Sequence, residues 1–217
     1  MLKLKKSVVA SGFSLALIAT TLTSTACFAS YNRSAAVQYA NQHALSPNTP
    51  WYPVFGEDCT NFVSQAVYNG GFPMVYGTSP SWWEHSSYNT HTGIWSYSWS
   101  HGWAVAGDYR QFLINYYPGG YDQGAVSPGA AQWATTPPSY MNFQPGDVTF
   151  YNWVPSKGLG YTHAAISVGW AYDPWYGWAD TVDEHTNNRK QVLWSLADYS
   201  NYDATQLVDV MHISSSN

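Results

Sequence analysis

Apolar side chains recur at helical spacing in one segment that also contains a cysteine. Between residues 59 and 67 they occupy the i, i+3, i+4, i+7 and i+8 positions of an amphipathic helix: Cys59, Phe62, Val63, Ala66 and Val67. Gly70 and Gly71 follow, and they predict the C-terminal end of this helix because glycine readily adopts the backbone angles of a helix cap. The pattern therefore predicts a helix that begins at or close to Cys59.

Two further segments have helical patterns. Residues 31–44 predict a helix with Ser34 as its N-cap and a packed face made of Ala36, Val37, Ala40 and Ala44. Residues 106–117 predict another helix, which Pro118-Gly119-Gly120 ends. Its apolar side is formed by Tyr109, Phe112, Leu113 and Tyr116.

The last third of the chain has the composition of β-strands. Short runs of β-branched, small and aromatic residues predict four strands at 146–151, 163–170, 178–185 and 206–213. Helices early and strands late indicate the α+β class. We expect N-terminal helices and the cysteine helix to pack on an antiparallel sheet.

An aromatic-rich insert at about 72–142 lies between the cysteine helix and the strands. Outside the helix at 106–117 we expect irregular structure, with one short helical turn at 130–133. Tryptophans here can stack on sugar faces or simply pack the insert onto the domain, and both interpretations stay open. They are Trp82, Trp83, Trp95, Trp99 and Trp103, of which Trp82 and Trp83 are the substrate-binding candidates.

Residues 1–29 have the layout of a bacterial secretory signal peptide. Three lysines precede an apolar core at 8–22, and Cys27-Phe28-Ala29 offers a cleavage site before Ser30. We expect the mature domain to span 30–217 and to be secreted, extracellular or associated with the cell wall. Lipoprotein anchoring at Cys27 is disfavoured, because the leucine usual three residues earlier is absent. The apolar core is too short for a membrane span.

Charge and composition narrow the classes of partner. Loss of the predicted leader removes three of the eight basic residues and leaves five against thirteen acidic ones. This acidic balance argues against nucleic acid or an anionic membrane surface as partner. Aromatic residues make up 18% of the chain and charged residues only 10%, which suits a soluble exported monomer with wide aromatic surfaces.

Cys59 would be the one cysteine of the mature chain, so it cannot form an internal disulfide. At a helix N-terminus the unpaired N–H groups and the helix dipole favour an anion. A cysteine pKa there falls from about 8.5 into a range of roughly 3.5–7.5. This predicts a nucleophilic thiolate, and the alternative is a buried structural cysteine.

A cysteine nucleophile needs a base, and seven histidines compete for that role. His163 and His185 lie in two predicted strands on either side of Asp173-Pro174. Antiparallel pairing centred on residue 174 would place them opposite each other on one face of the sheet. The hypothesis is then that His163 is the base and His185 orients it, with Asp183 and Asn187 as alternatives for the third role. Two unrelated strand histidines are the competing interpretation, since a slip of one residue would separate them.

Four motifs resemble the bacterial amidase-domain family. They are Asp-Cys-Thr-Asn-Phe-Val-Ser-Gln at 58–65, Pro-Gly-Asp at 145–147, Thr-His-Ala-Ala-Ile at 162–166 and Glu-His-Thr-Asn-Asn-Arg at 184–189. That family is similar to the NlpC-like and CHAP branches of papain-fold cysteine hydrolases. The resemblance implies a papain-like fold, with a catalytic cysteine at a helix N-terminus, a histidine on the sheet and a polar third residue. These roles fall on Cys59, His163 and, less directly, His185.

The chemistry implied is cleavage of an amide bond, in a peptide or N-acyl group, through a thioester. The expected substrate is an extracellular polymer such as cell-wall peptidoglycan, and no metal or organic cofactor is required. The backbone N–H of Cys59 can donate to the oxyanion, with Tyr52 as a further donor and Asp58 as the helix cap or part of the same site.

Two other functions remain open from the sequence. A non-catalytic cell-wall or carbohydrate-binding protein would use the aromatic insert on an inert scaffold. A secreted toxin or effector would cleave an amide of a host or competitor. Transfer of the acyl group to an amine instead of water is also compatible with these residues.

Overall fold

The computed structural model describes residues 30–115, 120–127, 133–197, 199 and 206–213. Its α-helices are α1 (Arg33–His43), α2 (Cys59–Asn69), α3 (His101–Ala104) and α4 (Ala106–Asn115). The strands are β1 (Glu84–Asn89), β2 (Ile94–Trp99), β3 (Gly120–Val126), β4 (Val148–Asn152), β5 (His163–Asp173), β6 (Gly177–Glu184), β7 (Arg189–Leu193) and β8 (Leu207–Ile213). Short 3-10 helices occupy Ser139–Met141 and Pro155–Lys157.

Six strands form one antiparallel sheet in the order β3-β8-β4-β5-β6-β7, and β1 and β2 pair in a separate hairpin. The predicted α+β class is confirmed, as are the cysteine helix and the four predicted strands. None of the helices in the described part of the chain is long and apolar enough to cross a membrane.

Several local predictions need correction. The hairpin β1–β2 and strand β3 lie where irregular structure was expected, and β7 was not predicted. The cap of α1 is Asn32, whose side-chain oxygen accepts from the N–H of Ala35 at 3.0 Å, whereas Ser34 lies inside the helix. The predicted leader at 1–29, the end of the helix predicted to 117, and most of the turn predicted at 130–133 lie outside the described residues.

The two faces of the large sheet have different covers. Alternate strand residues, among them Phe150, Ile166 and Met211, pack with α1, α2 and α4 in one buried cluster. The residues between them, such as Tyr151 and Val210, face a second cluster made largely of loop side chains. This alternation follows the period of two in a strand, so neighbouring residues of β5 and β6 face different environments.

Helix α2 is buried along most of its length, from Cys59 to Val67. Phe62, Val63 and Ala66 pack toward the sheet cluster, and the aromatic insert covers the polar side. Ser64 Oγ accepts from Trp82 Nε1 at 3.0 Å, and Asn61 Oδ1 accepts from Trp103 Nε1 at 2.7 Å. The polar residues Asn61 and Ser64 of the 58–65 motif therefore fix the insert to the helix, of which Cys59 is the first residue.

Helix α1 is attached to the turn that precedes β4. Arg33 forms an ion pair with Asp147 at 2.6 Å and donates to the carbonyl oxygens of Pro145 at 3.0 Å and Ile213 at 2.6 Å. Gly146 has a φ of 87°, and a Cβ at this position would lie 3.1 Å from the Arg33 side chain. The Pro-Gly-Asp motif is therefore explained as a structural joint between α1 and the sheet.

Candidate active site

Cys59 is the first residue of α2, as its sequence pattern predicts, and it is a free cysteine with 6% of its surface exposed. Its Sγ interacts with the His163 side chain and with the backbone N–H of Ala164 at the start of β5. The Thr60 hydroxyl also lies 3.6 Å from the sulfur. The helix start thus presents the thiol directly to the first residues of a sheet strand.

His163 is held by aromatic and acidic neighbours. Its ring centroid lies 5.5 Å from that of Tyr151 and 5.4 Å from that of Trp153. Its Nε2 forms a short hydrogen bond with Glu184 Oε2. Because Glu184 occupies Nε2, the other ring nitrogen, Nδ1, is the one left to interact with the thiol of Cys59.

Glu184 supplies the carboxylate that contacts His163. It is the last residue of β6 and is fully buried. Its second oxygen, Oε1, accepts from Arg189 Nη1 at 2.5 Å, and the Arg189 guanidinium lies 3.4 Å from the centre of the Tyr199 ring. A continuous polar chain therefore runs from Cys59 through His163 and Glu184 to Arg189.

The electrostatics of the pair favour proton transfer from sulfur to imidazole. Burial is the largest single influence and raises the pKa of the Cys59 thiol, but the hydrogen bond and charge of His163, together with hydrogen bonds of Thr60 and Ala164, outweigh burial and lower this pKa below its ordinary value. Burial alone lowers the pKa of His163, but its contacts with Cys59 and Glu184 raise this pKa to about 9. The arrangement stabilises a thiolate beside an imidazolium.

A cavity of about 240 Å³ gives access to this pair. Cys59, His163, Glu184 and Arg189 contribute to its walls, together with Glu57, Trp153, Thr162, Thr186 and Asn187. Its size suits one residue or acyl group of a larger substrate rather than a whole polymer.

His185 does not contact His163, so the predicted pairing of the two histidines is wrong. Its Nδ1 lies 2.7 Å from Asp58 Oδ2, its Nε2 lies 2.9 Å from the carbonyl oxygen of His43, and its ring stacks on Phe62 at 4.0 Å. Both ring nitrogens therefore have acceptors on the helix side of the sheet. His185 joins α1, the start of α2 and β6.

The register of the β5–β6 hairpin explains the error. The turn pairs Asp173 with Gly177, so it is centred on residue 175 instead of 174. A bulge between Ser167 and Gly169 then shifts the pairing, and Ile166 pairs with Asp183. Continuing this register places Glu184 on the face of His163 and residue 185 on the opposite face.

The two alternative third residues occupy different places. Asp183 lies on the helix side of the sheet, where its Oδ1 accepts from the N–H of Gln191 at 2.7 Å. Burial, opposed by smaller contributions, raises the pKa of Asp183 to about 6. Asn187 lines the cavity at Cys59 but makes no hydrogen bond with His163. Among the described residues, the carboxylate that contacts His163 Nε2 is that of Glu184, not a side chain of these three residues.

Tyr52 is not placed to donate to an oxyanion at Cys59, and the side chain of Asp58 does not cap α2. The Asp58 side chain turns away, with Oδ1 accepting from Phe55 N at 3.0 Å and Asn61 Nδ2 at 2.8 Å, and it makes no cap bond to the helix N–H groups. Tyr52 stacks on Trp103 at 6.2 Å, and its hydroxyl lies 3.5 Å from Asn69, the last residue of α2. The helix places Asn69 about 15 Å from Cys59.

The two tryptophans predicted to bind substrate differ in exposure: Trp82 is fully buried, whereas a role of Trp83 in binding stays a prediction. Trp82 packs against Phe72, Trp103 and Phe112 and has no exposed surface. The prediction that it contacts a ligand is therefore wrong. Trp83 is partly exposed and stacks on Tyr76 at 5.6 Å. It lines a surface cavity formed by the insert, not the cavity at Cys59.

Glu184 and Arg189 were missed, although both lie in the 184–189 motif that carries the family resemblance. Glu184 lies two residues after buried Val182 in β6, so both point to the same face of the sheet. With the strand register known, this spacing would have identified Glu184 as a neighbour of His163. Arg189 is one of five basic residues in 30–217, so a search for a partner of the buried acid could have found it. Within the described residues no cluster of three or more His, Cys, Asp or Glu side chains could hold a metal ion.

Comparison with known proteins places this geometry in a family. Residues 30–208 match the family described as "Putative amidase domain", and the chain belongs to that family. It is 31% identical to the uncharacterized protein YhbB of Bacillus subtilis over 84% of its length, and 28% identical to the uncharacterized protein YjcM of the same organism over 75%. The chain spans about half the length of YhbB and about a third of YjcM. No solved structure is a significant match.

Proposed function

We propose that the chain is a cysteine-dependent hydrolase of amide bonds, with Cys59 as nucleophile, His163 as general base and acid, and Glu184 as the residue that orients His163. The observation that carries this proposal is the polar chain Cys59–His163–Glu184 at a helix N-terminus, with the thiol pKa lowered. Membership of an amidase family supports the same class of reaction. A nucleophile, a base and an orienting acid in this order form a catalytic triad.

The reaction begins with proton transfer from the thiol to His163 Nδ1. The thiolate attacks the carbonyl carbon, a C–S bond forms and the carbonyl electrons move to oxygen. When the intermediate collapses, the C–N bond breaks and His163 gives its proton to the leaving amine. Water then attacks the thioester with His163 accepting its proton, and breakage of the C–S bond returns the thiolate and releases the acid.

The backbone N–H of Cys59 is the proposed donor to the oxyanion. The first N–H groups of a helix have no intrahelical acceptor, and those of α2 lie next to the sulfur. The N–H of Asp58 is already bound to Thr186 Oγ1 at 3.1 Å, which fixes the backbone just before the nucleophile. Thr186 has a φ of 81°, an unusual backbone conformation for a β-branched residue, and it lines the same cavity.

Secretion and a cell-wall substrate belong to the proposal as well. The leader-like pattern at 1–29, the acidic balance and the aromatic surface suit an exported enzyme that acts on peptidoglycan peptide. The order of a cysteine helix followed by an antiparallel sheet that carries the histidine supports a papain-like fold, similar to NlpC-like and CHAP hydrolases.

Digestion of purified peptidoglycan tests this function. We expect the wild-type chain to release amide-cleaved fragments that mass spectrometry identifies, and Cys59→Ala to release none. Unchanged release by Cys59→Ala would contradict the proposal. Retention of Cys59→Ala on insoluble peptidoglycan, with no fragments from either protein, would instead support a non-catalytic binding protein.

Alkylation by iodoacetamide tests the nucleophile without knowledge of the substrate. We expect rapid labelling of Cys59 at neutral pH with parallel loss of hydrolysis. Tryptic mapping separates this thiol from Cys27, because Arg33 lies between them and Arg110 closes the peptide that carries Cys59. Labelling as slow as that of an unactivated buried thiol would contradict the proposal.

A further inference from the structure

A second cavity of about 490 Å³ lies at the other end of α2 from Cys59. Tyr68 and Asn69, from the last turn of the helix, form part of its wall. Because α2 rises about 1.5 Å per residue, this wall lies about 15 Å from the thiol along the helix axis. The cavity shares no lining residue with the one at Cys59.

One buried carboxylate faces this cavity. Glu84 begins β1 and is only 5% exposed, yet it lines the cavity. Its Oε1 accepts a short hydrogen bond from the Ser86 hydroxyl, and no lysine or arginine in the described part of the chain forms an ion pair with it. Burial, opposed by weaker effects of Ser86 and His85, raises the pKa of this carboxyl.

Apart from Asp183, the other buried acids among the described residues each have a side-chain partner that can carry a positive charge, which is His185 for Asp58. Asp147, Asp209 and Glu184 each form an ion pair with an arginine of the same chain. A buried carboxylate that no lysine or arginine pairs with is unfavourable, and a ligand that supplies the positive charge reduces this cost. Glu84 thus has the electrostatic character of a receptor for a cation.

Aromatic rings surround the carboxylate. Trp51 and Tyr76 are more than 60% exposed, while Tyr52 and Tyr68 form further walls. The rings are held in place, since Tyr76 stacks on Trp83 at 5.6 Å and Trp51 packs edge-on against Trp95 at 5.4 Å. Aromatic faces attract cations, and Trp and Tyr rings around an ammonium group are a recurrent mode of recognition.

We propose that the cavity formed by Glu84, Trp51, Tyr52, Tyr68 and Tyr76 binds an organic ammonium group. The carboxylate of Glu84 accepts hydrogen bonds from the ammonium group. The aromatic rings contact the carbon atoms that are bonded to the ammonium nitrogen. A lysine-type side chain and an amino sugar both carry this group. The proposal is independent of the proposed function, because binding here requires no reaction at Cys59.

Calorimetric titration of the full chain tests the site with paired probes. The charged probes are Nα-acetyl-lysine methylamide and glucosamine, and their uncharged counterparts carry an acetyl group on the same nitrogen. We expect one charged probe to bind about ten- to a hundredfold more tightly than its acetylated counterpart. The probe that binds identifies the source of the amine. Equal binding of charged and acetylated probes, or no binding of either charged probe up to about 10 mM, would overturn the proposal.

Variants locate the binding. Glu84→Gln keeps the shape of the side chain, removes its charge and is expected to abolish the preference for the charged probe. Trp51→Ala removes an exposed wall of the cavity and leaves the core intact. We expect it to lower the affinity for the charged probe several-fold. Trp175→Ala, 87% exposed in the β5–β6 turn, is the matched control and should bind like wild type. Binding that Glu84→Gln and Trp51→Ala both leave unchanged would contradict the assignment.

Discussion

Two histidines at the ends of the β5–β6 hairpin each pair with a carboxylate, and the two pairs lie on opposite faces of the sheet. His163 and Glu184 face the cavity of Cys59, whereas His185 and Asp58 join the helices to the strand behind it. His185 has acceptors at both nitrogens and a stacked phenyl ring, so it has no nitrogen left for a thiol. His163 has one nitrogen bound to an acid and the other beside sulfur. The difference teaches that the neighbours of a buried histidine, and not its burial, decide whether one of its ring nitrogens can interact with a thiol.

The largest expected contrast is between alanine substitutions of the two histidines. His163→Ala removes the general base and is expected to reduce amide hydrolysis by about a thousandfold with little change in fold. Hydrolysis per folded molecule of His185→Ala should stay within a few-fold of wild type. Rates on peptidoglycan, normalised to the folded fraction, check both. Equal losses in the two variants would remove the distinction.

The free energy of unfolding should be affected more by His185→Ala than by His163→Ala. His185→Ala leaves the Asp58 carboxylate buried without its imidazole partner, and we expect it to lower the free energy of unfolding by about 3–5 kcal/mol. Urea denaturation of both variants measures this quantity. A His185→Ala protein as stable as His163→Ala would show that the pair with Asp58 does not join the helices to the sheet.

Glu184→Gln sharpens the assignment of the orienting residue. The amide keeps a hydrogen-bond acceptor for His163 Nε2 but lacks the charge that stabilises the imidazolium. We expect about a hundredfold loss of hydrolysis, and the alkaline limb of the pH profile should move to lower pH because the pKa of His163 falls from about 9. Asp183→Asn is the matched control on the opposite face. A larger loss of hydrolysis in Asp183→Asn than in Glu184→Gln would indicate that Asp183 is the residue that orients His163.

The smallest effect is expected at Arg189. Arg189→Gln removes the cation that holds Glu184 Oε1, and about a tenfold loss of hydrolysis should follow from poorer alignment of the acid. Lys190→Gln changes the net charge equally but removes an exposed side chain that donates to Asn41 O at 2.8 Å. Steady-state rates of hydrolysis by the two variants distinguish an effect on the alignment of Glu184 from an effect of net charge. Identical rates would contradict a specific role for Arg189.

The parts of the fold that follow a simple period were predictable from sequence. The stripe from Cys59 to Val67 identifies α2, and the short β-branched runs identify β4, β5, β6 and β8. Hairpin β1–β2 was not found because it has two largely exposed faces and no alternating apolar stripe. Its turn does carry a local signal, since Asn89 Oδ1 accepts from the N–H groups of His91 and Thr92 and Gly93 has a φ of 69°.

At the candidate site, the proximity of Cys59 and His163 could be predicted from the sequence, but the contact of His163 with Glu184 could not. Cys59 and His163 each open an element, so their positions depend only on where a helix and a strand begin. The choice between Glu184 and His185 depends on the turn at Trp175 and the bulge near Gly169, which shift the register by one residue. No periodicity in the sequence reports such a shift.

The most direct measurement of the central claim is the pH dependence of Cys59 alkylation in wild type and in His163→Ala. Because Cys59 and His163 share a proton, the thiolate of the wild type should persist well below the ordinary cysteine pKa of about 8.5. We expect the labelling midpoint of the wild type to lie below that value. The midpoint of His163→Ala should move above it, since burial alone raises the thiol pKa. Identical midpoints in the two proteins would contradict the thiolate–imidazolium pair.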